Sequence, residues 1–481
     1  MNTASKAVPL RGLKRRALSL GAAKAFDYAM QFLLPVVLVR FMDTATFGEY
    51  RLLWLAVGTL LGLASLNMPQ SLYLFLPPAD APTKRLYINQ TVVFLGLAGL
   101  ACAFLVSPLN PWLPKAMAPL MEYGWLVPAF ICLWVVAYML EFLPTVDERI
   151  AWQSVALMSL SVLRVTMLGV GAFLTGSMEV VLWLLVAFVL VKVALLLAYI
   201  ARYHGVGRPL INGAHFRRHV TLAAPFGFSS ALFGLRTQVD QWIAAHLFSL
   251  SSFAAFSIAP LLGALVNVFR TSVSEVFLPS MSRLTAAGDP KAMVALNGRA
   301  NVMVGTLLYP ALAFAFAFAD EIITFIYTAA YIEAVPVMRL YIVGFAVAVI
   351  ELGSLVLLLE EGKFHLKVNA VVLLFSAALS FAAALHFGLV GAAAGGVSGL
   401  FLDRAAMLRR VSRRTGIPMR HMQDWRGLGL ALAFGALAGG LAWGVAETWL
   451  GRASVLERLI AGGAVLAACY AAILFFLRRK G

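Results

Sequence analysis

Charge is scarce in this chain. Asp, Glu, Lys and Arg make up only 12% of its 481 residues, where soluble domains carry roughly 25%. Acids are scarcer than bases, 22 against 38, for a formal net charge of +16. Cysteine is rarer still: Cys102, Cys132 and Cys469 each fall in an apolar stretch, which excludes a disulfide framework and a cysteine metal site. The seven histidines do not cluster, and we read them as interfacial. Long hydrophilic segments are missing too. The longest between apolar runs lie near 202–218, 280–299 and 411–426, too short for a folded extramembrane domain. There is no zinc-ligand spacing, no nucleophile with a paired base and no phosphate-binding loop. The expectation is a protein that is not an enzyme and needs no cofactor. Whatever it does happens inside its apolar bulk.

What is abundant is hydrocarbon. Apolar residues make up 62% and mean hydropathy is +0.88. They recur in blocks long enough to cross a hydrocarbon layer of roughly 30 Å. Fourteen spans are expected, near 17–40, 51–76, 86–107, 118–143, 151–175, 179–201, 219–247, 253–279, 300–319, 336–359, 366–386, 388–410, 427–446 and 459–477. The fold class is an all-α polytopic membrane protein. If the N-terminus is cytoplasmic, 27 of the 38 Lys and Arg fall on the inner side, as the positive-inside rule requires, with both termini cytoplasmic. The net charge is then a topology signal, and nucleic acid is not an expected partner. The first span looks like a signal peptide but contains Lys24 and Asp27 and no small-residue cleavage site, so it reads as an uncleaved helix. Residues 282–300 read as a short amphipathic cytoplasmic helix.

The chain also repeats itself. LNMPQSLYLFLPP (66–78) and VNVFRTSVSEVFLPS (266–280) align Asn67 with Asn267, 200 positions apart. Six spans separate the first from the seventh, so two parallel halves are expected, related by an axis along the membrane normal, with a site between them. The expected organisation is a basic segment 1–16, a first lobe 17–202, a linker 203–218, a second lobe 219–412, a basic loop 413–426 and an extra helix pair with a basic tail over 427–481.

Charges inside spans are the candidate functional residues. At about 100° per residue, Lys24, Asp27, Tyr28 and Gln31 share one face of the first helix, and Arg236 and Asp240 share a face of the seventh. Arg270 and Glu275 lie in the eighth, Arg164 and Lys192 near the middle of the fifth and sixth, and Glu351 in the tenth. Each costs roughly 2.5–3.5 kcal/mol at mid-membrane even on a lenient scale. Such residues face one another or a wet cavity, unless they snorkel or form pairs within a helix. Lys192, isolated among Val and Leu, reads equally well as a lipid-interface residue.

Several stretches carry a resemblance: VRFMDTATFGEYRLLWL (39–55), VDQWIAAHLFSLSSFAAFSIAPLL (239–262), ITFIYTAAYIEAVPVMRLYIVG (323–344) and the run over 352–399. Over roughly 17–410 the chain resembles the polysaccharide transporter and flippase branch of the MOP superfamily, whose relatives include lipid II flippases and, more distantly, MATE drug exporters. The resemblance implies two six-helix lobes and alternating access. It implies transport of undecaprenyl-pyrophosphate-linked oligosaccharide across the bacterial inner membrane, with membrane lipids and polysaccharide polymerase or export machinery as partners. It implies a cationic cavity to which Lys24, Arg236 and Arg270 contribute; Arg164, deep in its span, joins them by the cost of its buried charge as an expected substrate-binding residue. Asp27, Asp240 and Glu275 are then expected to gate it, or to couple it to a proton or sodium gradient. A MATE-type cation-coupled exporter of drugs or metabolites and a lipid II flippase are the alternatives. The pair beyond twelve spans departs from the common plan and matches the lipid II branch.

Overall fold

The structure, a computed structural model, describes residues 10–205, 207, 209–451 and 453–480. The chain divides into two compact units, Met1–Gly234 and Leu235–Gly481. The first contains α1 (Leu10–Leu38), α2 (Thr44–Ala64), α3 (Met68–Phe75), α4 (Ala81–Leu105), α5 (Ala118–Met121), α6 (Leu126–Ala137), α7 (Leu143–Val146), α8 (Ile150–Thr175), α9 (Met178–Tyr203) and the start of α10 (Gly213–Leu247). The second contains the rest of α10, then α11 (Leu250–Ile258), α12 (Leu262–Ala286), α13 (Pro290–Ala317), α14 (Ala319–Tyr327), α15 (Ala334–Ala348), α16 (Gly353–Leu358), α17 (Gly362–Thr415), α18 (Trp425–Trp449) and α19 (Val455–Lys480). The few acids in the loops start helices. Asp43, Asp80, Asp289 and Asp424 each accept a hydrogen bond from a backbone N–H of the helix they precede, at 2.8–3.2 Å.

Among the described residues the fold is helical throughout. Nine stretches are long and apolar enough to cross a membrane, ten if the bent pair α2–α3 is one span. This is a multi-pass membrane protein. Neither α1 nor α10 is among the nine, because the charged and amide side chains along them lower their hydropathy.

Several expected spans are broken. The span over 51–76 bends by 43° between α2 and α3, where Leu66 and Asn67 adopt φ of 43° and 56°. Pro69 follows in the first turn of α3, where its missing N–H is no loss. Asn267, its expected counterpart, lies inside the continuous α12. The two copies of the repeated line therefore differ in local structure. Residues 282–300 are not a separate helix: α12 runs to Ala286 and α13 starts at Pro290, with Gly288 turning the chain at φ 71°. The span over 336–359 breaks between α15 and α16, and buried Glu351 lies in the break, its carboxylate accepting from the N–H groups of Gly353 and Ser354.

The two expected spans over 366–410 are the two arms of α17, 54 residues joined at a kink. As one straight helix it would reach about 80 Å, far beyond a bilayer core. Gly388, at φ 60° and ψ −139°, breaks it, and the arms fold back on each other. Gly391, Gly395 and Gly399, one turn apart, let the second arm meet the first backbone to backbone. A Cβ at Gly395 would lie 2.3 Å from the Ser376 carbonyl oxygen and 2.5 Å from the Ser380 nitrogen. At the open end Glu361 is clasped by Arg410 and Arg414. Gly395→Leu is expected to cost about 3 kcal/mol, near the upper end for overpacking, and to lower the melting temperature of the detergent-purified protein. A melting temperature within a degree of the parent would contradict this packing.

Candidate functional site

The first unit encloses a cavity of about 490 Å³. Helical spacing builds its walls. From α1 come Lys24, Asp27, Tyr28 and Gln31; from α8 come Gln153, Leu157, Ser161 and Arg164, a stripe repeating every three or four residues. Helix α9 adds Phe188 and Lys192, α2 adds Trp54 and Leu61, and α6 with the turn after it adds Trp134, Tyr138 and Glu141. Three bases thus meet two acids around one hollow. Both acids are engaged. Asp27 accepts from Gln31 Nε2 at 2.7 Å and from the Ser161 hydroxyl. Glu141 Oε1 lies 2.8 Å from Lys192 Nζ. Neither Lys24 nor Arg164 has a hydrogen-bond or ion-pair partner among the described residues, and the Arg164 Nε is fully buried without one. Buried donors are otherwise nearly always paired. Aromatic rings also line the cavity: Trp54 and Trp134 meet edge to face with ring centroids 4.9 Å apart.

The second unit treats its charges differently. Arg236, 9% exposed, donates from Nη1 to Asn369 Oδ1 at 2.6 Å and to Asp403 Oδ1 at 2.9 Å. Asp403 also accepts from Arg404 Nη1 at 3.0 Å. The guanidinium expected to face a cavity is therefore neutralised by a buried carboxylate. Asp240 does not pair with Arg236; it accepts from the Tyr341 hydroxyl at 2.5 Å and from Gln241 N at 2.8 Å. Gly396 makes room for it, since a Cβ there would lie 2.4 Å from Asp240 Oδ2. Arg270 is half-buried and donates to Asn267 Oδ1 on its own helix at 2.7 Å, and Glu275 is exposed.

Of the seven expected site residues, the structure brings Lys24, Asp27 and Arg164 together in the first unit. Arg236, Asp240, Arg270 and Glu275 all belong to the second. Lys192 is not a lipid-interface residue: it is buried, bound to Glu141, and stands 4.6 Å from the Trp134 ring centroid. Sequence reasoning missed Glu141, Asn369 and Asp403. The signal for Asp403 was available, as a lone acid beside Arg404 in an apolar span.

The family described as polysaccharide biosynthesis protein matches residues 13–285, more than half the chain. The chain belongs to that family. Among solved structures, the lipid II flippase MurJ in an inward closed conformation is similar with a TM-score of 0.70 at 14% identity, over 95% of this chain and 98% of that one. An inward-facing multidrug resistance MATE family transporter gives 0.63 at 11%, over 81% and 96%. A MOP superfamily transporter from Pyrococcus furiosus gives 0.55 at 12%, over 84% and 96%. These likenesses show the fold, and with the family they place the chain in the MOP superfamily of flippases and transporters. No curated protein matches in sequence.

Proposed function

We propose that this protein is a flippase that moves undecaprenyl-pyrophosphate-linked oligosaccharide from the inner to the outer leaflet of a bacterial cytoplasmic membrane, for O-antigen or exopolysaccharide assembly. In this reading fourteen spans form two six-helix lobes and a C-terminal pair, with both termini cytoplasmic, and transport proceeds by alternating access. The observation that carries it is the pair of unpartnered bases, Lys24 and Arg164, in the first unit's cavity. A pyrophosphate is held best by ammonium and guanidinium groups acting in a medium of low dielectric. Arg236 acts by positioning Asn369 and Asp403, and Asp240, without a base beside it, is the coupling site for a proton or sodium ion.

The aromatic wall and two acids would also suit a cationic drug, the alternative supported by the MATE-like fold. Both acids, however, are already engaged, while two bases are not. Vesicles containing the purified protein are expected to translocate lipid-linked oligosaccharide and not to accumulate cationic dyes. Dye transport without lipid-linked sugar transport would overturn the reading. Transport of lipid II alone would assign the other branch.

A further inference from the structure

One base in the cavity already has its charge occupied. Lys192 and Glu141 form an ion pair, but the partners are held unequally: the Lys192 side chain is 9% exposed and that of Glu141 is 40% exposed. Lys192 sits mid-helix on α9, packed beside Trp134. Glu141 ends the 3-10 turn Tyr138–Glu141 between α6 and α7, where the α-helical hydrogen-bond ladder is already interrupted. A buried ammonium requires an anion, because leaving it unpaired in a medium of low dielectric is costly. Glu141 supplies that anion and is also the partner free to move. Beside it Gln153 donates from Nε2 to the Glu141 carbonyl at 3.4 Å, leaving its own Oε1 buried without a partner. The place therefore offers a base for an anion and an acceptor for a hydroxyl.

We propose that Glu141 is an exchangeable internal anion: a phosphate or carboxylate on a hydroxylated cargo displaces it from Lys192, while a cargo hydroxyl donates to Gln153. The third base then joins Lys24 and Arg164 only when cargo is present. The empty cavity keeps Lys192 neutralised, and cargo lacking an anionic group cannot break the pair. This rests on the cavity being an anion site, as argued above.

Binding of inorganic pyrophosphate and of glucuronate to the purified full chain in nanodiscs tests it, read by calorimetry. Removing the competitor should strengthen binding: Glu141→Gln is expected to bind one of the two anions about tenfold tighter than the parent, one hydrogen-bonded charge contact in affinity terms. Glu141→Asp, a shorter carboxylate, should give a smaller gain, and serves if Glu141→Gln does not fold. The gain should vanish when Lys192→Met is added. Which anion gains separates the sources, pyrophosphate pointing to the lipid headgroup and glucuronate to an acidic sugar. Unchanged or weaker binding by a folded Glu141 variant overturns the exchange. If Lys24→Met with Arg164→Met abolishes binding in the same assay while Glu141→Gln changes nothing, the anion site stands and only the exchange fails. If neither parent nor Glu141→Gln binds either anion, both readings fall.

Discussion

Replacing Lys24 and Arg164 together with methionine is expected to abolish transport of lipid-linked oligosaccharide while leaving the protein folded. Hydrogen bonds to charged groups are worth roughly 1.5–3 kcal/mol each, so losing two amounts to a weakening of about 10²–10⁴-fold in cargo affinity. Each single variant should fall between. The stability side of the prediction distinguishes a binding role from a structural one. Neither base has a partner among the described residues, and the Arg164 Nε is a buried donor left unsatisfied. Removing it should leave the melting temperature unchanged or raise it. A lower melting temperature in the double variant would show that these bases hold the unit together, and transport at the parental rate would remove them from the site.

The charge cluster of the second unit predicts the opposite pattern. Asp403→Asn is expected to destabilise strongly, by about 3–5 kcal/mol, the usual cost of breaking a buried pair by removing one partner. The Asp403 side chain is 3% exposed and binds both Arg236 and Arg404, so losing its charge removes the one carboxylate that both guanidinium groups are seen to share. Arg236→Gln should cost less, because Asp403 then keeps Arg404 and the new amide can still reach Asn369. Melting of the two variants in one detergent checks the order. If Asp403→Asn melts like the parent, Asp403 does not hold these charges.

The membrane class was legible because burying a polar backbone in lipid forces long apolar runs, and such runs survive any rearrangement of the helices. The bases of the cavity were legible for a related reason: a charge in an apolar span is expensive, so it stands out by itself. Lys24, Asp27 and Arg164 were all found this way, and Arg164 and Asp27 meet around one hollow through the face spacing of α1 and α8. Glu141 escaped because it lies at the end of an expected span, where an acid costs little and draws no notice. Breaks inside spans were also hidden. Leu66 and Asn67 carry no glycine to announce their left-handed backbone, and α10 presses against them at Gly227, where a Cβ would lie 2.5 Å from Leu66 backbone atoms.

Composition and spacing alone determined that this chain spans a membrane as helices and holds costly charges in particular helices. Only the tertiary structure decided which of those charges are free. Pairing depends on distances of a few ångströms between residues far apart in sequence, such as Arg236 with Asp403 or Lys192 with Glu141. Local preference and hydrophobic period carry no information about such distances, because Coulomb energy is set by separation in space and by the burial that packing creates.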